Sequence, residues 1–401
     1  MTDLLIRDVR PSGGDAVDVL MQGGKIARMA PGLAAPPGAR IEEGHGGLLL
    51  PGLVEGHAHL DKTLMGQPWH RNTVGPMRDE RIENERQYRR GGGHDAAARA
   101  LTLARAYLAN GTTRMRTHAD IDTEIGLRHF HATLRTREAM AGSMDMQIVA
   151  FPQSGLTSRP GTEELMDQAL REGADVVGGI DPCSVDRDPV GHVDALFRLA
   201  HKHGKPIDVH LHEPGELGAF SLNLILERTT SAGMAGMVTI SHAFCLGTLA
   251  TGERDAFLDR MARWDVRIAT TAPASNPVPP LMVCRAAGVT VYGGNDGVRD
   301  TWTPHGRPDM LDRAMHIALR NGFRRDDELE VALDCVTAAA AEGCGFTGYG
   351  LVEGAWAECV VMDAETMAQA VAQAPRRRLV VAGGRVVARD GVAVEQTEFR
   401  P

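Results

Sequence analysis

Histidines and one aspartate follow several short apolar runs along this 401-residue chain. His57 and His59 are separated by one residue, so on a strand both imidazoles would project from the same face. Further runs end at residues 210–213 (HLHE), 241–242 (SH) and 295–296 (ND). Imidazole nitrogens and carboxylate oxygens are ligands that Zn²⁺ and Fe²⁺ take in proteins. A single strand histidine is usually structural. Four strand ends that carry His-x-His, His, His and Asp, in that order along the chain, predict a divalent metal centre.

The apolar runs alternate with helix-like sequence. Segments such as 96–109, 163–172, 193–203 and 256–264 carry apolar residues at helical spacing. Repeated strand–helix units favour an α/β fold, a (β/α)8 TIM-type barrel with its site at the carboxyl ends of the strands. A doubly wound parallel sheet is the alternative. The predicted barrel strands lie within residues 48–59, 112–118, 145–151, 175–180, 206–210, 237–242, 266–271 and 289–293.

Both chain ends read as short strands separated by glycine-rich turns. Neither end has enough strands to bury a core alone. We therefore predict that residues 1–50 and 350–401 form one small β-sandwich domain. Residues 51–349 would then form the metal-dependent catalytic barrel.

Charge and hydropathy argue against several functional classes. The formal net charge is −9, which disfavours a nucleic-acid partner. No apolar stretch approaches the length of a membrane span, and the first residues lack the pattern of a secretory signal. The six cysteines are scattered with no C-x-x-C pair, as is typical of buried thiols in a reducing compartment. We therefore expect a cytoplasmic enzyme with no membrane partner.

Five segments carry recognisable motifs: 51–62 (PGLVEGHAHLDK), 113–120 (TRMRTHAD), 207–213 (IDVHLHE), 239–242 (TISH) and 295–304 (NDGVRDTWTP). Together they resemble the amidohydrolase superfamily, and within it the cytosine deaminase-like branch, which includes triazine-degrading members. The resemblance covers nearly the whole chain. It implies a small heterocyclic substrate and a homo-oligomer as the expected assembly.

The same resemblance implies one divalent metal ion per subunit, Zn or Fe, bound by His57, His59, His210 and Asp296. Two-metal members carry a carboxylated lysine at the end of the fourth strand, where this chain has residues 179–182 (GIDP). Water activated at the metal would attack a ring carbon, and Asp296 would also accept the proton of that water.

Three further residues match positions whose side chains transfer protons or stabilise charge in the family that the sequence resembles. His242 would hydrogen-bond the hydroxide or the developing oxyanion, the alternative being a structural histidine. Glu213 and His212 compete for protonating the leaving amine. On a regular strand His212 would share the face of His210 and Glu213 would point away, whereas a bend would turn Glu213 inward. The resemblance to cytosine deaminase favours Glu213.

Three residues match substrate-contacting positions. Gln153 offers a donor and an acceptor to the amide edge of a pyrimidine or triazine. Trp302 would pack on a flat ring, and Lys62 would contact a substrate oxygen. The alternatives are a loop glutamine, a loop-anchoring tryptophan and a surface lysine. His118 is expected beneath the metal, and Gly297 stands where cytosine deaminase has a second aspartate, which leaves the substrate open.

These features support three hypotheses. The leading one is a metal-dependent hydrolytic deaminase of an amino-substituted N-heterocycle, a cytosine-like pyrimidine or an s-triazine, that releases ammonia. The alternative is a triazine amidohydrolase that releases an N-alkylamine, or a hydrolase of another cyclic amide or amidine. The third is a catalytically silent metal- or ligand-binding protein, which would need no proton shuttle.

Overall fold

The computed structural model describes residues 2–91 and 95–394. Its strands are Leu4–Pro11 (β1), Val17–Gln22 (β2), Lys25–Ala30 (β3), Arg40–Pro51 (β4), Leu53–Ala58 (β5), Thr112–Asp120 (β6), Asp145–Phe151 (β7), Val176–Ile180 (β8), Ile207–His210 (β9), Val238–Ser241 (β10), Arg267–Thr270 (β11), Val291–Gly293 (β12), Cys359–Met362 (β13), Arg377–Ala382 (β14), Arg385–Arg389 (β15) and Val392–Ala393 (β16).

The helices alternate with the middle strands. They are Arg78–Arg90 (α1), Ala96–Ala109 (α2), Arg128–Ala139 (α3), Thr162–Arg171 (α4), Pro189–His203 (α5), Gly215–Ser231 (α6), Thr251–Arg263 (α7), Leu281–Ala286 (α8), Met310–Arg320 (α9), Asp326–Asp334 (α10), Ala338–Cys344 (α11) and Met367–Gln373 (α12). Short 3₁₀ helices at Leu60–Lys62 and Phe244–Gly247 follow β5 and β10.

Strands β5 to β12 form one parallel sheet in chain order, eight strands within the described ranges. A parallel bridge between Ala58 and Asp296 joins the end of β5 to the segment after β12, so the sheet comes close to closing on itself. This is the arrangement of a TIM-type barrel, and the strands lie within the predicted runs or within a few residues of them. Because all these strands are parallel, their carboxyl ends meet at one rim.

Local sequence explains how the helices between these strands begin. The Asp95 side chain accepts hydrogen bonds from the backbone N–H groups of Ala97 and Ala98 at the start of α2. Asp188 caps α5 in the same way, and Pro189 occupies the first turn, where its missing N–H costs nothing. The helices pack on strands whose residues are almost all buried, such as β6 and β9.

The two chain ends share a second sheet. Its order in the described part of the chain is β16-β15-β14-β13-β4-β1-β2-β3, and β13 pairs antiparallel with β4. Both ends therefore contribute to one β unit with its own apolar cluster. The sandwich form and the boundaries at residues 50 and 350 stay predictions, and residues 395–401 of the second segment lie outside the described residues.

The predicted run 48–59 contributes residues to both sheets. Its first half ends β4 in the terminal sheet, and its second half is β5 of the barrel. Gly52 lies at the junction, where an added Cβ would come within 2.1 Å of Thr113 Oγ1, so only glycine permits this close approach. Among the described helices, none has the length and apolar character needed to cross a bilayer.

Candidate active site

The proposed metal ligands converge at the rim of the barrel. Asp296 Oδ1 lies 3.3 Å from His59 Nε2 and 3.9 Å from His57 Nε2. His210 Nε2 lies 3.3 Å from His59 Nε2. These side chains come from β5, β9 and the segment after β12, so the structure brings together the four residues that the sequence comparison selected.

The chemistry of these donors fits a divalent cation. Within the described residues, buried His57 Nε2 has no hydrogen-bond partner. Burial lowers the pKa of His57 and His210 well below the usual histidine value, and burial together with Lys62 lowers the pKa of His59 to about 4. The imidazoles are therefore neutral near pH 7, the form that binds metal. Two neutral imidazole nitrogens facing each other need a proton or a cation between them.

Buried polar groups fix the orientation of these ligands. His57 Nδ1 lies 3.0 Å from Ser241 Oγ, and Ser241 in turn donates to Asp208 at 2.6 Å. His118 lies beneath the site, with Nδ1 3.3 Å from the carbonyl of Ala58. A histidine ligand whose second nitrogen is held in this way keeps one tautomer and one ring orientation.

Glu55 links β5, which carries His57, to the segment after β12 that carries Asp296. Its fully buried carboxyl accepts the backbone N–H groups of His57 and Asn295, both at 2.9 Å. Burial, opposed by these hydrogen bonds, raises its pKa to about 7. The sequence analysis missed this role, although the position of Glu55 two residues before His57 places both on one face of β5.

Lys62 is buried beside the cavity rather than exposed on the surface. Its ammonium donates to Gln153 Oε1 and lies 3.3 Å from Asp120 Oδ1 and 3.8 Å from Glu85 Oε2. Burial would lower the pKa of Lys62, but Asp120 and Glu85 outweigh it and raise the pKa. The ammonium also lies 5.4 Å from the centre of the Trp302 ring. These contacts place a permanent cation, an amide and an aromatic ring at one wall.

His212 and Glu213 point in different directions. His212 lines the cavity, and its Nδ1 lies 2.7 Å from Oδ2 of the buried Asp181. Glu213 is turned into the loop after β8, where it accepts the backbone N–H groups of Cys183 (2.9 Å) and Ser184 (2.7 Å). The geometry therefore favours His212 over Glu213 as the group that faces a leaving amine, against the sequence preference.

His242 and Asp296 have backbone conformations that non-glycine residues rarely adopt. Their φ angles are 70° and 65°. His242 stacks on His212 at 4.1 Å, and its buried Nε2 has no partner among the described residues. Burial, together with His212, lowers the pKa of His242 to about 3, so the ring is neutral and carries one N–H donor.

The cavity that these residues share has a volume of about 1880 Å³. All the residues singled out for substrate contact, Lys62, Gln153 and Trp302, line it together with His59, His210, His212, His242 and Asp296. Asp181, a residue that sequence reasoning did not select, supports His212 from behind. Its position at the end of β8 was the available signal.

The chain is similar to known amidohydrolases in sequence and in structure. The profile of the amidohydrolase family matches residues 44–388. A crystal structure of N-isopropylammelide isopropylaminohydrolase from Burkholderia multivorans is 61% identical, with a TM-score of 0.96 over 98% of this chain and 100% of that one. A 5-methylcytosine deaminase from Klebsiella pneumoniae, liganded with 5-fluorocytosine, is 27% identical, with a TM-score of 0.84 over 99% of both chains. The N-isopropylammelide isopropyl amidohydrolase of Pseudomonas sp. (strain ADP) is 28% identical over 98% of both sequences.

Proposed function

The chain belongs to the amidohydrolase family, and from that premise we propose that it hydrolyses an exocyclic C–N bond on an oxo-substituted s-triazine and releases a small alkylamine. The observation that carries this proposal is the convergence of His57, His59, His210 and Asp296 beside a cavity-facing His212. The triazine class is taken from the relative named for N-isopropylammelide, which is similar over the full length of both chains.

The substrate wall suits an oxo-substituted ring. The Lys62 ammonium can donate to a ring oxygen, and its electrostatic attraction is strong because it lies in a buried site. Gln153 offers an amide to the N–H/C=O edge of the same ring. Trp302 provides an aromatic face for stacking. An alkylamino group extends into the remaining cavity, which is much larger than a bare ring requires.

The residues at the rim divide the proton transfers. A bound divalent metal ion would lower the pKa of a water molecule into the neutral range. Asp296 accepts a proton from the attacking water. The N–H of neutral His242 donates to the ring substituent on which negative charge develops.

His212 protonates the departing amine through Nε2, because its Nδ1 faces Asp181. Before that transfer the imidazolium form of His212 pairs with the Asp181 carboxylate, which also holds the ring in place, as carboxylate–histidine pairs do elsewhere. The Asp181 pKa is lowered to about 2: burial would raise it, but His212 and Arg78 dominate. Asp181 is therefore ionised throughout the neutral range.

The test is product analysis with zinc-loaded and iron-loaded protein. N-alkylammelides should yield one equivalent of free alkylamine, measured by chromatography, and metal-depleted protein is the control. Absence of alkylamine with fully loaded protein would refute the proposal.

Hydrolytic deamination with ammonia release is the second candidate. The similarity to a 5-methylcytosine deaminase and the matching position of Gln153 favour it. Position 297 is glycine where cytosine deaminase has an aspartate, but the Asp300 carboxylate lies against this glycine and lines the cavity, so cytosine belongs among the substrates to test. An ammonia-coupled assay with ammelide, cytosine and pterins distinguishes this candidate from alkylamine release.

A further inference from the structure

A second cavity, of about 300 Å³, lies between the end of α1, the start of α2 and α3. It shares no lining residue with the active-site cavity, as far as the chain is described. Its described lining contains no acidic residue. We call it the basic pocket, and its cationic or basic side chains are Arg89, Arg99, Arg128, His129, His131 and Arg135.

Arg99 forms the buried floor of the basic pocket. Its side chain donates through Nε to the carbonyl of Thr63 at 2.7 Å and through an Nη to that of Asp61 at 3.3 Å. These contacts fix the guanidinium, and the residue as a whole is only 5% exposed. The other Nη is fully buried and has no partner within residues 2–91 and 95–394. A buried charged donor without an acceptor is costly, and such groups in folded proteins usually face a ligand or water.

Arg89 repeats this pattern on the neighbouring wall. One of its Nη atoms pairs with Glu85 at 3.0 Å and with Asp120. The second Nη is buried and lacks a partner in the described part of the chain. The guanidinium groups of both arginines are thus fixed by protein contacts, and in each of them one Nη has no described partner.

The remaining basic side chains line the more open part of the pocket. Arg128 donates to the backbone carbonyls of Ile125 and Glu124 and, among the described residues, pairs with no carboxylate. His129 Nδ1 lies 2.8 Å from Asp61, which leaves its second ring nitrogen for other contacts. Arg135 is exposed on the same helix. His131 Nε2 lies 2.7 Å from Glu172 Oε2, so the charge that no described carboxylate pairs comes from Arg99, Arg128 and Arg135. The pocket is therefore open to solvent and positive.

We propose that the basic pocket binds a small dianionic oxyanion of the phosphate class. Guanidinium groups match the oxygen geometry of phosphate with paired hydrogen bonds, and fixed arginines lose little entropy on binding. A dianion balances the positive lining better than a monocarboxylate does. The volume admits a phosphate group with a small substituent.

The test is calorimetric titration of the zinc-loaded full chain with inorganic phosphate at constant ionic strength. Arg128→Gln and Arg135→Gln remove lining charges without touching the contacts that Arg99 makes to the backbone. Each should raise the phosphate Kd about tenfold or more. The matched control is Arg105→Gln, which removes an exposed arginine of α2 that does not line the pocket, and its Kd should equal that of the parent chain.

Two results would overturn the proposal. One is the absence of saturable phosphate binding. The other is an equal Kd in all three variants, which would place the anion at the metal or elsewhere. Acetate serves as the monoanion probe, and binding as tight as that of phosphate would refute the dianion assignment. The titration measures binding without turnover, so its outcome is independent of the proposed reaction.

Discussion

Substitution of His212 and Glu213 in turn decides which of the two protonates the leaving group. His212 faces the cavity with Asp181 behind it, whereas Glu213 is committed to the loop after β8. We expect His212→Asn to lower kcat by about 10²–10⁴, the usual contribution of a positioned acid or base. Neither residue is a predicted metal ligand, so both variants should retain the metal.

The structure also sets the size of the Asp181 contribution. Lowering the Asp181 pKa from 3.8 to about 2 corresponds to about 2 kcal/mol of preference for the ionised carboxylate, which His212 shares with Arg78 and a backbone N–H group. Asp181→Asn should therefore lower kcat by up to about 30-fold. Combining it with His212→Asn should add little, because the two residues act as a unit.

Glu213→Gln is the matched control. The amide keeps one oxygen for the N–H groups of Cys183 and Ser184 but loses the charge, so the free energy of unfolding should fall by about 1–3 kcal/mol. We expect kcat to stay within about tenfold of the parent value. The assay is alkylamine or ammonia release by metal-loaded variants, with metal content and urea unfolding measured on the same samples. A collapse of kcat in Glu213→Gln at full metal content, with His212→Asn active, would refute this reasoning.

Three further predictions concern the ligands and their support. His210→Ala should lose bound metal and turnover together, measured by metal analysis after dialysis; full activity at full metal loading would contradict the ligand assignment. Glu55→Ala should destabilise the fold by about 1–3 kcal/mol per freed N–H group, including that of His57, and hasten metal loss to a chelator, whereas Glu55→Gln should largely restore both properties. Asp186→Asn should lower the free energy of unfolding by about 3–5 kcal/mol at neutral pH, because it removes the carboxylate from a buried contact with His192 at 2.6 Å. Burial would raise the Asp186 pKa, but His192 dominates and holds the pKa well below the usual range. The stabilisation by the Asp186 carboxylate is thus present above the usual aspartate pKa and is lost as the pH falls below it, so the stabilities of parent and variant should converge in acid.

The barrel strands could be predicted because parallel strands buried on both faces read as continuous apolar runs. The same continuity made residues 48–59 read as one strand, whereas β4 ends at Pro51 and β5 begins at Leu53. The dipeptide Pro51-Gly52 is the local signal for that junction, and the close approach of Thr113 explains why glycine is required there.

The positions of the proposed ligands could be predicted from the sequence, whereas the contacts that support them could not. A strand end and a two-residue spacing suffice to place His57 and His59 on one rim. The pairing of His57 with Ser241, and of Ser241 with Asp208, depends on the relative register of three strands. A single sequence gives no register between parallel strands that are separated by helices.

The choice between His212 and Glu213 shows where strand alternation stops being informative. Strand β9 ends at His210, so the path of the two residues after it is set by their partners. Asp181 accepts both the backbone N–H and the ring of His212, each at 2.7 Å. The Glu213 carboxylate instead accepts hydrogen bonds from two backbone N–H groups and from the Ser221 hydroxyl, which turn it away from the cavity. The outcome matches a regular strand, but hydrogen bonds to a neighbouring loop produce it.

Lys62 connects this polar framework to the choice of substrate. An isolated buried lysine tends to lose its proton, because a low-dielectric environment disfavours the charged form. Asp120 and Glu85 prevent that loss here, and Arg89 partly neutralises both carboxylates from the far side. Under the proposed function, a ring that presents an oxygen at this point accepts a hydrogen bond from this fixed cation, whereas an amino or alkylamino group there brings an N–H donor against it. We therefore expect the network around Lys62 to favour an oxo-substituted position, independently of which amine departs.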